Sequence, residues 1–345
     1  MNSCFKRILP VIGILAGSSA VFGTGFSLWV FNENKEAVEA SVNDIVVNPF
    51  HFYDGDGYYD ADGNKTGSNI QFVNIIDTVN KTATITSAQL QYTYTSDNGQ
   101  LELPSVYYKD GVAYKITGFG DGTNKNLGWT PDTSLTTLII PDSYTSINDM
   151  ALSTVAPSIT KVVLGKGIKT IGNKAFYCCN TLTDINFPSN LESIGNDAFF
   201  QCTLNDVNLS TATSLKTIGA CSFGEAKVKT VEFPNSLEEI QAYAFVQNNI
   251  TLADLSNTQL AKLGTGTSSY GVKIGNSFSN NTGLTCYLPN TVTTCGYQIF
   301  NNDGGNVYVH FAEEETPSGF DSKWNSTDAG GANITIHYNW DGVTK

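Results

Sequence analysis

Residues 170–176 read Thr170-Ile171-Gly172-Asn173-Lys174-Ala175-Phe176, and residues 193–199 repeat the pattern as Ser193-Ile194-Gly195-Asn196-Asp197-Ala198-Phe199. Weaker copies end at four later phenylalanines: Phe223, Phe245, Phe278 and Phe300. Successive phenylalanines of this series are 23, 24, 22, 33 and 22 residues apart. A fixed period in the twenties is typical of a solenoid, in which each repeat forms one coil stacked on the next. The sequence therefore predicts a solenoid.

Each repeat also contains a short alternation of apolar and other residues. Ile185 and Phe187 alternate with Asp184 and Asn186 before Pro188. Such a period of two, closed by proline, predicts a strand whose every second side chain points inward. The same two apolar positions recur in the other repeats, as Leu138/Ile140, Val162/Leu164, Val207/Leu209, Val231/Phe233, Ala253/Leu255 and Cys286/Leu288. We expect a mainly β solenoid of about eight coils of 22–24 residues, with one parallel sheet and short 3-10, helical or extended back segments.

The full repeat resembles the BspA-type leucine-rich repeat of bacterial surface proteins. The clearest copy reads Leu182-Thr183-Asp184-Ile185-Asn186-Phe187-Pro188-Ser189-Asn190-Leu191-Glu192-Ser193-Ile194-Gly195-Asn196-Asp197-Ala198-Phe199-Phe200-Gln201-Cys202. The resemblance extends over residues 100–340, with an insertion around residues 264–274 and Gln241 in place of the usual glycine. It implies a leucine-rich repeat stack, a role in adhesion to host or neighbouring-cell components, and no cofactor.

The chain divides into five segments. Residues 1–31 are predicted to be a signal peptide or a signal-anchor, because Lys6 and Arg7 precede an uncharged stretch, residues 8–31, equivalent to about 36 Å of helix. Residues 32–44 are predicted as a linker, 45–131 as a β-rich N-terminal region and lead-in cap, 132–311 as the solenoid, and 312–345 as a C-terminal cap. We therefore expect an extracellular or cell-surface protein, exported and either released or retained by a membrane anchor.

The β-rich N-terminal region contains two hairpin signals and one acidic loop. Residues 70–86 alternate around Asn80-Lys81, and Asp110-Gly111 separates two tyrosine-rich runs. The loop at residues 54–64 alternates aspartate with glycine, and its carboxylates are Asp54, Asp56, Asp60 and Asp62. Oxygen ligands of this kind suit calcium, but the EF-hand pattern fails because no glutamate closes the loop. Both a solvated turn, the favoured interpretation, and a calcium site remain open from the sequence.

Composition argues against nucleic-acid binding and against catalysis. With 32 acidic and 19 basic residues the formal net charge is −13, so no basic surface is expected to neutralise phosphates. The three histidines, His51, His310 and His337, have no catalytic spacing, and no nucleophile-elbow, zinc-protease or phosphate-loop motif occurs. We expect a protein that is not an enzyme and that needs no cofactor; its acidic charge would favour cationic partners.

Six cysteines lie outside the N-terminal segment: Cys178, Cys179, Cys202, Cys221, Cys286 and Cys295. Cys179 and Cys202 have the same position in adjacent repeats, and Cys286 and Cys295 have core positions. The favoured interpretation is a set of small buried thiols. An exported chain also permits a disulfide between Cys179 and Cys202. No C-x-x-C pair suggests a zinc or redox site.

The strand alternation predicts which side chains face outward. We expect two outward columns, with Tyr308 ending the column of Asp184 and Asp206, and with Tyr287 and then His310 ending the column of Asn186 and Asn208. The predicted ligand-binding residues are Asp184, Asn186, Asp206, Asn208, Glu232, Asp254, Tyr287 and Tyr308. Acids and amides beside aromatic rings suit an extracellular protein or glycan ligand. Outward polar residues are also common on any solvated sheet. The alternative function is a structural or self-assembling module of the cell envelope.

Overall fold

The computed structural model describes residues 27–31, 37–41, 52–53, 58–59, 65–67, 70–90, 99–109, 112–120, 122, 135–153, 158–266, 275–327 and 331–343. The N-terminal strands are β1 (Ser27–Phe31), β2 (Ala37–Ser41), β3 (Phe52–Tyr53), β4 (Tyr58–Tyr59), β5 (Lys65–Gly67), β6 (Ile70–Asp77), β7 (Thr82–Leu90), β8 (Gln100–Glu102), β9 (Val106–Lys109) and β10 (Val112–Phe119). From residue 135 onward the described chain forms a stack of coils, and each coil has three sides. The solenoid prediction is confirmed.

The front face is the side of the solenoid formed by the strands that the sequence predicted. These are β11 (Thr137–Ile140), β13 (Lys161–Leu164), β15 (Asp184–Ile185), β17 (Asp206–Asn208), β19 (Thr230–Glu232), β21 (Leu252–Asp254), β23 (Thr285–Tyr287), β25 (Asn306–Tyr308) and β27 (Thr335–His337). Neighbouring strands are parallel, as expected. They do not form one sheet, however, but three, with the orders β15-β13-β11-β8, β17-β19 and β21-β23-β25-β27.

A second strand in each coil forms the lateral sheet, which the sequence analysis did not predict. Its solenoid strands are β12 (Ser146–Ile147), β14 (Thr170–Ile171), β16 (Ser193–Ile194), β18 (Thr217–Ile218), β20 (Glu239–Gln241), β22 (Lys262–Thr265), β24 (Thr294–Cys295) and β26 (Gly319–Phe320). They are parallel and unbroken from β10 to β26. The lateral sheet is therefore the continuous spine of the stack.

Inward side chains of both strand sets fill a single core that runs along the solenoid. Most of the predicted inward residues are buried, and the half-buried Ile185 and Phe233 pack against the same core. The back-side phenylalanines form a column through it. Phe176, Phe199, Phe223, Phe245, Phe278 and Phe300 stack with ring centroids 5.0, 5.2, 5.2, 5.3 and 6.1 Å apart. The residues that define the period are thus the ones that join the coils.

The back side is held by backbone hydrogen bonds that all point the same way. Lys174, Phe176 and Cys178 donate their N–H groups to the next coil, to the carbonyls of Asn196, Ala198 and Phe200. Lys174 and Cys178 have positive φ, and so do the equivalent residues of the other coils. Left-handed backbone is unfavourable for residues with a side chain, so these bonds and the buried phenylalanine between them must hold it.

Glycine after the lateral strand is required by the close approach of the preceding coil. A Cβ on Gly195 would lie 2.6 Å from the backbone nitrogen of Asn173. The contact belongs to a ladder of side chains, in which Asp149 accepts from Asn173 N–H, Asn173 from Asn196 N–H, and Asn196 from Ala220 N–H. Ala220 has no side-chain oxygen with which to continue the ladder. The next coil has Gln241, and the pairing of β20 with β22 shifts register there.

The strands β3–β7, β9 and β10 belong to the same sheet as the lateral strands, whereas β1 and β2 form a separate two-stranded sheet. β6 and β7 form the predicted antiparallel hairpin, β9 and β10 form the second, and β10 pairs with β12. One expectation is corrected: Ser27–Phe31, placed at the end of an apolar helix, forms β1, which pairs with β2 in the segment expected to be a linker. Trp29, Val30 and Phe31 are residue types that favour extended backbone, and the pairing with β2 supplies hydrogen-bond partners for that backbone. Residues 1–26 lie outside the described residues.

The C-terminal residues cover the last coil on all three sides. β27 extends the front face, β26 extends the lateral sheet, and the carbonyls of Lys323 and Trp324 accept the N–H groups of Gln298 and Ile299. The Trp324 ring packs edge-on at 6.5 Å from Phe300, the last ring of the column. A short 3-10 helix, Glu313–Glu315, precedes β26. These contacts end the stack.

The six cysteines of the described chain lie in the core or at its edge. Cys179, Cys202, Cys286 and Cys295 are buried, Cys178 and Cys221 are half-buried, and none of the six forms a disulfide, so the alternative Cys179–Cys202 bridge is not present. Burial raises the pKa of the Cys221 thiol to about 11. Within the described ranges, no helix is long and apolar enough to span a membrane.

Candidate functional site

The N-terminal part of the front face is neutralised by an ion pair. Asp184 on β15 lies beside Lys161 on β13, and the Lys161 Nζ to Asp184 Oδ2 distance is 2.7 Å. The two side chains are 49% and 58% exposed, so the pair is a surface salt bridge of small energetic value. Asp184 is outward, as predicted, but its charge is shared with a lysine.

Asn186 continues the front face where strand β15 ends. Its Oδ1 accepts the N–H of Leu164 at 2.7 Å, and its Nδ2 donates to the Leu164 carbonyl at 2.8 Å. The side-chain amide thus replaces one residue of backbone pairing. Both polar atoms of the Asn186 side chain are therefore used to pair neighbouring coils, and this residue is a structural one rather than the ligand contact that the sequence predicted.

Asn208 and Asp254 end their strands in the same way. The Oδ1 of Asn208 accepts both the N–H and the hydroxyl of Ser210, at 2.9 and 2.6 Å. The Oδ1 of Asp254 accepts the N–H and hydroxyl of Ser256, at 3.1 and 2.6 Å. A carboxylate or amide bonded two residues ahead is a turn-forming contact. Both residues shape the edge of the face.

The exposed acids of the front face lie on its central pair of strands. Asp206 is in register with Thr230, whose hydroxyl donates to it, and Asn208 is in register with Glu232. Asp206 and Glu232 are exposed, and neither takes part in any salt bridge of the described residues. The hydroxyl of Ser210 is 3.3 Å from Glu232 Oε2. Two carboxylates without a cation thus stand on adjacent strands.

The C-terminal end of the front face is aromatic, but its register differs from the prediction. Tyr287 pairs with Tyr308 and Tyr308 with His337, so Tyr308 belongs to the column of Asp254, and His337 rather than His310 ends that column. The rings of Tyr287 and Tyr308 stack at 4.7 Å, and those of Tyr308 and His337 at 4.3 Å. The last coil does not keep the regular repeat period, so applying that period to it placed Tyr308 in the wrong column.

Trp340 covers part of this aromatic end. Its ring lies 4.9 Å from Tyr287 and 4.9 Å from His310. Tyr287 is therefore only 7% exposed, and Tyr308 and His337 are the half-buried rings that reach the surface. The expectation that Tyr287 offers an exposed ring is wrong, because a tryptophan 53 residues later in the sequence packs on it.

Three residues of this end were not predicted as contacts: Asn306, His337 and Trp340. The Nε2 of His337 lies 2.9 Å from Asn306 Oδ1. Ile334, Ile336 and Tyr338 alternate with Thr335 and His337, and this period of two is the signal that would have placed His337 outward. The position of Trp340 follows from the folding of the chain back over the face, which no repeat signals.

Two other features have weaker claims as sites. A shallow groove of about 480 Å³ follows the corner between the lateral sheet and the back side. It is lined in part by Asp149 and Asn173 of the ladder of side chains. Asn148, which donates to the Gly120 carbonyl, shows that its polar groups serve the stack. Asp54, Asp56, Asp60 and Asp62 of the acidic loop lie outside the described residues. Elsewhere, in the ranges described, no cluster of three or more possible metal ligands occurs.

A known repeat family matches the solenoid part of the chain. A family model described as "BspA type Leucine rich repeat region" matches residues 131–214 and 207–304, with six copies. No curated protein matches the chain. A leucine rich cell surface protein from Faecalibacterium prausnitzii A2-165 is similar at 21% identity and a TM-score of 0.46, covering 68% of this chain and 73% of that one. A leucine-rich repeat protein from Bacteroides ovatus has 14% identity and a TM-score of 0.36, covering 77% and 75%.

A third solved structure is the T. pallidum Leucine Rich Repeat protein, with 21% identity and a TM-score of 0.35, covering 49% of this chain and 81% of that one.

The family model spans residues 131–304, just over half of the chain. It spans the coils in which the repeated glycines, phenylalanines and front strands were found. This protein therefore belongs to the family of BspA-type leucine-rich repeat proteins.

Proposed function

We propose that this protein is an exported, non-enzymatic surface or secreted protein that binds an extracellular protein or glycan through its front face, in adhesion. Family membership supports the repeat architecture, and repeat solenoids bind partners on extended faces. The positively charged start and uncharged stretch of residues 8–31 support export.

One observation carries the proposal: Asp206 and Glu232 are exposed on adjacent strands of the stack, and no lysine or arginine among the described residues forms a salt bridge with either. Asp184, by contrast, is neutralised by Lys161. Carboxylates held on paired strands lose little conformational entropy when they accept hydrogen bonds from a ligand. They would attract lysine or arginine side chains, or accept bonds from sugar hydroxyls.

The aromatic end extends the same surface. Tyr308 and His337 lie on β25 and β27, about four strands beyond the acids. Half-buried rings fixed by stacking contribute contact area at low entropic cost, as aromatic anchors do in protein interfaces. A ligand that contacts both regions would be an extended one, spanning several coils.

The test is a binding assay of the purified protein against extracellular matrix proteins, a glycan array and envelope extract of the producing cells. A double variant, Asp206→Asn with Glu232→Gln, removes two charges from the front face while preserving size. Its control, Glu314→Gln with Glu315→Gln, removes two charges from the exposed 3-10 helix. We expect the first variant to bind a foreign ligand about tenfold more weakly or worse, and the control to bind normally.

Equal loss in both variants would show that net charge, not the front face, governs binding. Capture of only envelope material, by all three proteins alike, would instead support a structural role in the envelope. Circular dichroism and thermal unfolding of each variant establish that the fold is retained.

A further inference from the structure

One side chain in each coil closes the back side from within the core. It is the third residue after the stacked phenylalanine of that coil. The successive residues are Cys179, Cys202, Ala226, Asn248, Asn281 and Asp303, and we call them the closing column. All six are buried.

The members of the closing column with a polar hydrogen donate it to a carbonyl of the preceding coil. The thiol of Cys179 donates to the Leu152 carbonyl, and that of Cys202 to the Phe176 carbonyl, at 3.0 and 3.2 Å. The amide Nδ2 of Asn248 donates to the Phe223 carbonyl at 2.8 Å, and that of Asn281 to the Phe245 carbonyl at 2.9 Å. The position therefore selects a hydrogen-bond donor; Ala226 has none to offer.

Asp303 occupies this donor position with a side chain that, when ionised, only accepts. Its Oδ1 accepts the N–H of Asn281 at 2.7 Å. Its Oδ2 accepts no hydrogen bond from any described residue, and water cannot supply one because the residue is 0% exposed. An ionised carboxylate in such a place would leave a charge unpaired in the core, which is strongly unfavourable.

We propose that Asp303 is a neutral carboxylic acid in the native protein, donating to the preceding coil as Asn281 and Cys202 do, and that its ionisation in mildly alkaline solution loosens the last coils and the C-terminal cap. By the register of the column the acceptor would be the Phe278 carbonyl, which already accepts Asn281 Nδ2 at 2.6 Å and has a second lone pair to offer. The residue precedes Gly304, Gly305 and strand β25, which carries β27 and the aromatic end of the front face.

The surroundings of Asp303 contain little that would stabilise its charge. Burial raises the pKa of its carboxyl to about 8, against the lowering effect of the backbone N–H groups of Asn281 and Asn280. The titratable group that faces it from β23 is the thiol of Cys286, whose own pKa is raised by burial and then by the charges of Cys295, Asp303 and Asp254. Asp303 takes part in none of the salt bridges formed by the described residues.

The sign of the pH effect follows from these values. Between the ordinary aspartate pKa of 3.8 and about 8, the folded protein keeps a proton that the unfolded chain has released. Unfolding then releases a proton, so the stabilising contribution of Asp303 is complete below that window and is lost as the pH rises through it. The unfolding equilibrium constant should rise by up to about tenfold for each pH unit from this group.

The experiment compares urea unfolding of the wild-type protein, Asp303→Asn and the exposed control Asp206→Asn at intervals from pH 5 to pH 9. Asn is the residue that the closing column uses at Asn248 and Asn281. We expect Asp303→Asn to remove the proton-linked loss of stability, and the control to follow wild type. Hydrogen exchange of β25 and β27 should accelerate above pH 8 in wild type beyond the intrinsic rate, and not in Asp303→Asn.

A second measurement decides the matter if Asp303→Asn does not fold. The 13C carboxyl signal of Asp303 in the wild-type protein should titrate near pH 8, several units above exposed aspartates. Titration in the ordinary aspartate range, or the same pH dependence of unfolding in wild type and Asp303→Asn, would overturn the proposal.

Discussion

The front face and the lateral sheet lie side by side in every coil but are built from different residues. The central lateral strands repeat one solution, with Thr170-Ile171, Ser193-Ile194 and Thr217-Ile218 in register and glycine next. The front strands that flank them change from Lys161 to Asp184 and from Thr230 to Leu252 at their outward positions. The lateral sheet is unbroken, whereas the front face is divided into three sheets. Uniform residues thus hold the stack, and variable ones face outward.

The comparison predicts that substitutions have opposite consequences on the two parts. Changes in the lateral sheet, the back side or the core should reduce stability, because neighbouring coils depend on each other there. Changes on the exposed front face should leave stability nearly unaltered and change binding. Four substitutions test this separation, from the largest expected effect on stability to the smallest.

Phe199→Ala should cause the largest loss of stability. The Phe199 ring is buried and stacks between Phe176 and Phe223 at 5.0 and 5.2 Å. Its removal creates a cavity in the column, for which we expect a loss of about 3–5 kcal/mol in the free energy of unfolding, measured by urea denaturation. The adjacent Phe200→Ala is the control: that ring is half-buried and stacks on Tyr177, so about 1 kcal/mol is expected. Equal losses would contradict the role of the column.

Gly195→Ala should be the next most damaging. The added Cβ would approach the Asn173 backbone nitrogen to 2.6 Å, so the two coils must separate locally. We expect a loss of about 1–3 kcal/mol by the same measurement. Gln241→Gly is the matched test of the departure from the repeat. The ladder of side chains ends at Ala220, in the coil before Gln241, and the strand pairing shifts register at Gln241. Glycine is therefore not required there, and Gln241→Gly should not stabilise the protein. A clear gain in stability would show that Gln241 is strained.

Asn186→Ala should cost about 1–2 kcal/mol, although Asn186 lies on the exposed front face. It removes the two hydrogen bonds that Asn186 forms with the N–H and carbonyl groups of Leu164. The amide of Leu164 should then exchange faster with deuterium. Asn186→Asp should keep only the bond accepted from the Leu164 N–H, so its stability should lie between those of wild type and Asn186→Ala. No change in exchange would place Asn186 with the variable residues.

The double variant Asp206→Asn with Glu232→Gln should have the smallest effect on stability, within about 0.5 kcal/mol, since both side chains are exposed and form no salt bridge with the described lysines. Its effect should appear in the binding assay instead. Thermal unfolding of wild type and variant checks the expectation. A loss comparable to that of Asn186→Ala would mean that these acids hold the stack rather than face a ligand.

Much of the fold followed from the sequence because its dominant signals are local and repeated. The alternation around Ile185 and Phe187 located a front strand, and the interval between phenylalanines gave the period. The lateral strands were missed since Ser193-Ile194 is only two residues long and shows no alternation. Trp29, Val30 and Phe31 were a local signal for strand β1, but the absence of charge over residues 8–31 favoured the interpretation as one helix.

The candidate site was predicted less completely, for two physical reasons. Outward direction was correct for Asp206 and Glu232, but exposure depends on what folds over the face, and Trp340 buries Tyr287. The structural bonds of Asn186 with Leu164 join different coils, so the repeat could not show them. Asn208 and Asp254 did carry a readable signal, because serine follows each at the second position, a pattern typical of a turn.

The one-way hydrogen bonds of the back side bear on how such proteins change length. From the second coil onward, each described coil there accepts N–H groups from the coil before it and donates its own to the coil after it, and the last donates to the carbonyls of Lys323 and Trp324. A duplicated or deleted coil leaves both of these junctions chemically identical. Whole repeats are therefore units that gene recombination can add or remove while the same terminal segment still closes the protein. Front-face area, and with it the reach of the protein across a large ligand, is free to evolve in steps of one coil.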